Sequence, residues 1–118
     1  MRTQGRLQNR IAVITGAASG IGQATAIRFA EEGAHVLIAN LPTQKRDADA
    51  TAGRVRGLGR NAEVVGIDVT REDQVDEMTE AAMAAFGRID ILVSAAGIEQ
   101  DPQSRTRAPF YIRTVAAS

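Results

Sequence analysis

The chain has no cysteine, no excess of charge of either sign, a single lysine and no long apolar run. Without cysteine it can hold neither a disulfide nor a thiolate metal site, which fits a reducing compartment. With 14 basic residues against 14 acidic ones, nothing in its charge argues for nucleic acid or an anionic membrane surface. Its apolar runs fall far short of the ~20 residues that span a bilayer. The opening MRTQGRLQNR is polar and basic with no apolar stretch behind it, so it does not read as a secretory signal. These absences lead to the expectation of a cytoplasmic protein. At 118 residues the chain is one domain at most.

What is present is an alternation. Four β-prone runs, RIAVIT (10–15), HVLIAN (35–40), AEVVGIDV (62–69) and IDILVSAA (89–96), are apolar almost continuously. That pattern fits strands buried on both faces of a parallel sheet. Three helical patterns lie between them. The first, about 20–32, carries Gly22, Ala26, Phe29 and Ala30 on one face, and Gly33 ends it. The second, about 43–57, is polar, with only small and aliphatic residues for an inner face. In the third, about 71–86, Thr70 can cap the start with Asp73 three residues on. Val75, Met78, Ala82 and Phe86 then form one stripe before Gly87.

The order β-α-β-α-β-α-β predicts a doubly wound α/β domain. Right-handed crossovers give a parallel sheet in the order 3-2-1-4, with the first two helices on one face and the third on the other. After Gly97 the pattern stops. Residues 1–98 therefore read as the folded segment and 99–118 as an irregular tail, in which PFYIRTV is a candidate short strand.

Gly16, Gly20 and Gly22 stand where the first strand gives way to the first helix. The start of a helix leaves backbone N–H groups unpaired and carries partial positive charge, so it suits phosphate. Glycines bring those groups close because no Cβ intervenes. A tight turn that binds nothing would use the same residues, but the strand-to-helix position is the one dinucleotide sites require.

At these residues the chain resembles a family. TGAASGIG (15–22) is similar to the TGxxxGxG cofactor loop of the short-chain dehydrogenases/reductases. Asp68, Val69 and Thr70 match that family's DVT at the end of the third strand, and SAAG (94–97) lines up with its NNAG on the fourth. The resemblance covers about residues 7–98 and implies the NAD(P)-binding Rossmann segment of an oxidoreductase. It implies that Gly16, Ser19, Gly20, Ile21 and Gly22 surround the pyrophosphate and the nearby ribose. Asp68 would accept from the adenine amino group, with Val69 beside the ring, and Ala95, Ala96 and Gly97 would line the cleft. Asp68 also fits a helix-capping turn with Thr70. The cleft is expected at the carboxyl ends of strands one and four.

Three departures from the family carry expectations of their own. Ser94 and Ala95 replace two asparagines, and the lost amides imply weaker cofactor binding. Asn40 stands where NAD-preferring members carry an acid. A carboxylate repels a 2′-phosphate and an amide does not, so Asn40 favours NADP over NAD. Lys45 and Arg46 follow closely enough to pair with that phosphate, although a solvated helix start accounts for them equally well.

The family acts through a serine, a tyrosine and a lysine four residues after the tyrosine. Here the sole tyrosine, Tyr111, is followed at that position by Val115, and the sole lysine is Lys45. Hydride transfer at a carbonyl needs a proton donor or acceptor at its oxygen, and no such pair can be read. His35, the one imidazole, sits at a strand start and reads as a packing residue. No residue is assigned a catalytic role. The expectation is a cofactor-binding fragment for NADP or NAD, inactive alone; the alternative is a non-catalytic nucleotide-binding or interaction module. With one helix for the second sheet face, Ile11, Val13, Ile91 and Val93 are expected to leave apolar surface there, and strand four an unpaired edge. Self-association or a covering partner would follow. Phe110, Tyr111, Ile112 and Val115 of the tail are expected to cover part of that surface.

Overall fold

In the computed structural model, which describes residues 5–18, 20–68, 72–94 and 111–114, the apolar runs become strands of one sheet. In chain order they are β1 (Ile11–Thr15), β2 (His35–Asn40), β3 (Ala62–Gly66), β4 (Ile91–Ser94) and β5 (Tyr111–Thr114). The helices are α1 (Gly20–Glu31), α2 (Lys45–Gly57) and α3 (Glu72–Phe86), and a 3-10 turn at Pro42–Gln44 leads into α2. The sheet order is β3-β2-β1-β4-β5. The first four strands are parallel in the expected 3-2-1-4 order, and β5 runs antiparallel to β4.

The near-continuous apolar runs of β1 and β2 follow from burial on both faces, whereas β3, at the edge of the sheet, buries only Ala62. Every residue of β1 is buried, and so is every residue of β2 after His35. Ala12, Ile14, Val36, Ile38, Ile91 and Val93 point into a layer closed by Ala26 and Ala30 of α1 and by Ala48, Ala52 and Val55 of α2. Val13, Leu37 and Ala39 point the other way, against Ile67 and against Met78 and Ala82 of α3. The third helix thus covers the opposite face from the first two, as right-handed crossovers require. Small residues on the inner stripe of α1 (Gly22, Ala26, Ala30) let its backbone lie close on the sheet. Each fully buried valine or isoleucine in these layers contributes about 1.5–3 kcal/mol of transfer free energy.

Two expectations are corrected. Ile91 and Val93 do not share a face with Val13, because β4 pairs Ile91 with Ala12 and Leu92 with Val13. All four residues expected to leave an open apolar face are buried. The far edge of β4 is also not open, since β5 pairs with it through Ile91–Thr114 and Ser94–Tyr111. β5 supplies the strand for which PFYIRTV was a candidate. Two strands are shorter than their apolar runs. β3 ends at Gly66, although the Ile67 N–H still donates to the Asn40 carbonyl (2.8 Å), and β4 starts after Asp90, whose carboxylate accepts from the Ile11 N–H. Thr70, the expected cap of α3, and Phe110 and Val115 of the tail lie outside the described residues. Among the described residues, no helix is long and apolar enough to cross a membrane.

Candidate functional site

The glycine loop leaves β1 at the carboxyl end of the sheet and enters α1. Gly16 takes φ 74° and Gly20 φ 62°, left-handed values that a side chain would strain. A Cβ on Gly20 would meet no atom of the other described residues within 4 Å, so the space beside it is open among them. A Cβ on Gly22 would lie 2.1 Å from the Gly16 carbonyl oxygen. Only glycine at position 22 lets the loop fold back against the first turn of α1. That turn carries no acidic residue, so none of its own side chains offsets the partial positive charge of the helix start. Ile21 beside it is exposed. A cradle with bare backbone, open space and positive potential suits a phosphate group.

Two side chains distant in sequence hold the loop at Ala17. The Ala17 N–H donates to Asn40 Oδ1 (3.0 Å), and the Thr51 hydroxyl donates to the Ala17 carbonyl (2.9 Å). The Gly16 N–H donates to the Ala39 carbonyl (2.9 Å), tying the loop to β2 as well. Asn40 is buried and its amide is used at both ends, since Nδ2 donates to Gln44 Oε1 (3.0 Å). Gln23 Nε2 of α1 donates to the Thr51 hydroxyl oxygen (3.2 Å). Sequence reasoning singled out Asn40 but not Thr51, Gln23 or Gln44. The available signal was a hydroxyl in the inner stripe Ala48, Thr51, Ala52, Val55, at helical spacing among apolar neighbours.

The other expected site residues are only partly brought together. Asp68 follows β3, and its N–H donates to the Gln74 side chain near the start of α3. Ile67 and Asp68 are thereby tied to the ends of β2 and α3, which sets Asp68 at the carboxyl end of the sheet with the glycine loop. Ser19, Val69, Ala95, Ala96 and Gly97 lie outside the described residues. Lys45 pairs with Asp49 one turn on (2.7 Å), at the solvent side of α2. Its helix follows β2, whereas Tyr111 begins β5, three strand spacings or roughly 14 Å across the sheet. The strand that leads to Lys45 and the strand that Tyr111 begins are thus not neighbours in the sheet. His35 packs instead: its ring stacks on Phe86 (centroids 6.3 Å apart), and Nδ1 accepts from the Asn61 N–H (2.9 Å).

The chain is similar to curated proteins over most of its length. It is 41% identical over 96 residues to the 3-oxoacyl-(acyl-carrier-protein) reductase of Thermotoga maritima, covering 81% of this chain and 38% of that protein. To the cis-4-hydroxycyclohexanecarboxylate dehydrogenase of Sinomonas cyclohexanicum it is 44% identical over 108 residues, covering 92% of this chain and 40% of that one. Among solved structures, carveol dehydrogenase from Mycobacterium avium, in complex with NAD, superposes with a TM-score of 0.70 at 27% identity. That match covers 75% of this chain and 36% of the other. The chain thus spans well under half the length of these relatives. Residues 10–115 match the short chain dehydrogenase family profile, and with the sheet order and the glycine loop this establishes that the chain belongs to the short-chain dehydrogenase/reductase family.

Proposed function

We propose that this chain is the dinucleotide-binding segment of an NAD(P)-dependent oxidoreductase that moves hydride between a nicotinamide and a hydroxyl or carbonyl substrate. The observation that carries the reading is the space in front of Gly20, beside a helix start held by the Gly16–Gly22 contact. In this reading the bare backbone of Gly16, Gly20 and Gly22, with Ser19 and Ile21, receives the pyrophosphate. Asp68 accepts from the adenine amino group and Val69 lies beside the ring. Ala95, Ala96 and Gly97 line the cleft, and Asn40, which carries no charge, favours NADP over NAD. The cofactor, when bound, would supply the hydride to a carbonyl or accept it from a hydroxyl-bearing carbon. The chain supplies orientation and positive potential, and with no lysine four residues after Tyr111 it carries out no turnover alone.

Fluorescence titration of the purified chain with NADH and NADPH tests this. Binding should be seen with the parent and lost in Gly20→Val, whose side chain fills the open space and strains a left-handed backbone. Circular dichroism checks that the variant is folded. Equal affinity in a folded Gly20→Val and the parent would show that the loop is not the site.

A further inference from the structure

We infer that Thr51 of α2 is a positioning residue for the dinucleotide loop, a role that rests on the cofactor reading above. Its side chain is fully buried, and Oγ1 lies 2.9 Å from the Ala17 carbonyl and 3.2 Å from the Asp47 carbonyl. A threonine inside a helix ordinarily turns its hydroxyl to the carbonyl four residues back, here that of Asp47. The nearer acceptor belongs to the loop, 34 residues away. Gln23 Nε2 donates to the same oxygen, so the hydroxyl accepts from α1 while its proton points to the loop. Thr51 thus joins α1, α2 and the glycine loop at one atom.

The geometry says what this fixes. The Gly16–Ala17 peptide is held by Asn40 on its N–H side and abuts Gly22 on its carbonyl side. The Ala17–Ala18 peptide is held by Thr51 at its carbonyl. No described peptide is cis, so fixing that carbonyl towards α2 turns the Ala18 N–H away from α2. Thr51 therefore sets the direction of a backbone donor in the loop without facing a ligand. With its hydroxyl removed, the buried Ala17 carbonyl loses its partner, and the loop would tilt to satisfy it.

The test compares Thr51→Val, Thr51→Ser and Val55→Ala in the full chain, by NADH and NADPH titration at temperatures where each is folded. Valine keeps the volume and removes the hydroxyl, and serine restores it. Val55 is buried one turn on, in the same core layer, and touches no part of the loop through a polar group. Thr51→Val should bind roughly three- to tenfold more weakly, the effect of one hydrogen bond. Thr51→Ser and Val55→Ala should stay within about twofold of the parent. If Thr51→Val binds like the parent, or Val55→Ala weakens binding as much, the positioning role is overturned. Should Thr51→Val not fold, NMR of the parent decides. A Thr51 hydroxyl proton protected from exchange and close to Ala17 supports the role, and a freely exchanging one overturns it. Absence of any dinucleotide binding by the parent would instead sink the cofactor reading, while the same NMR signal still reports whether the clamp exists.

Discussion

The two ends of the sheet solve the same problem in different ways. At the amino ends of the strands, buried carboxylates do the fastening. Asp90 accepts from the Ile11 N–H (2.9 Å) and from Arg88 Nε (2.8 Å), with Arg10 at 3.7 Å. Glu32, also buried, accepts from the Arg6 N–H (2.9 Å) and from Arg28 (2.7 Å). Each charge is matched by a guanidinium and a backbone donor, so little field extends outward. At the carboxyl ends the fasteners are neutral: the Asn40 amide, the Thr51 hydroxyl and the side chains of Gln23 and Gln44. The first turn of α1 itself carries no acidic residue to offset the partial positive charge of the helix start. Among the described contacts, charged groups fasten the amino ends, and neutral groups hold the glycine loop at the carboxyl ends. In parallel sheets that second end is where ligands bind.

The sharpest way to test this division is Gly22→Ala. The added carbon would lie 2.1 Å from a backbone oxygen, and neither the loop nor α1 can give way without losing contacts. A loss of about 3 kcal/mol in urea unfolding is expected, together with loss of dinucleotide binding. A parent-like melt would mean that the Gly16–Gly22 approach does not determine the loop. Asp90→Ala comes next. It strands the buried Ile11 N–H and should cost about 2 kcal/mol. The folded variant should still bind the dinucleotide with the affinity of the parent, because the lost contacts lie at the opposite end of the sheet. Weakened binding in folded Asp90→Ala would break the comparison, by showing that the two ends are coupled.

The sheet and the helix stripes were legible because their signals are local. The apolar run of HVLIAN and the stripe Val75, Met78, Ala82, Phe86 each lie within a few turns or residues of chain. Side-chain parity between strands is not local. Ile91 and Val93 were expected on the Val13 face, but β4 pairs Ile91 with an even-numbered residue of β1, and a shift of one residue in register reverses every side chain. β5 was only a candidate for a similar reason. YIRT has an arginine within it and no capping signal, and its place is set by pairing with β4 rather than by its own pattern. At the site, the glycines could be read from spacing because the turn they make is short. The partners of Ala17 could not, since Asn40 and Thr51 reach it from 23 and 34 residues away.

The smallest expected effect concerns Asn40, which both holds the loop and stands at the position associated with cofactor choice. In Asn40→Asp one carboxylate oxygen can still accept from the Ala17 N–H. The other oxygen would face Gln44 Oε1, and turning the Gln44 amide over presents its NH2 instead. The loop should therefore survive, with stability changed by less than about 1 kcal/mol. What changes is the charge beside the ribose in the proposed complex. A carboxylate there repels a 2′-phosphate and accepts from a 2′-hydroxyl, so the ratio of NADPH to NADH affinity should fall. Lys45 is held by Asp49 at the solvent side and should do little to offset this. Parallel titrations of parent and variant with both cofactors measure the ratio. If it does not move while the variant melts like the parent, Asn40 acts through the loop alone, and cofactor choice must be sought at other residues.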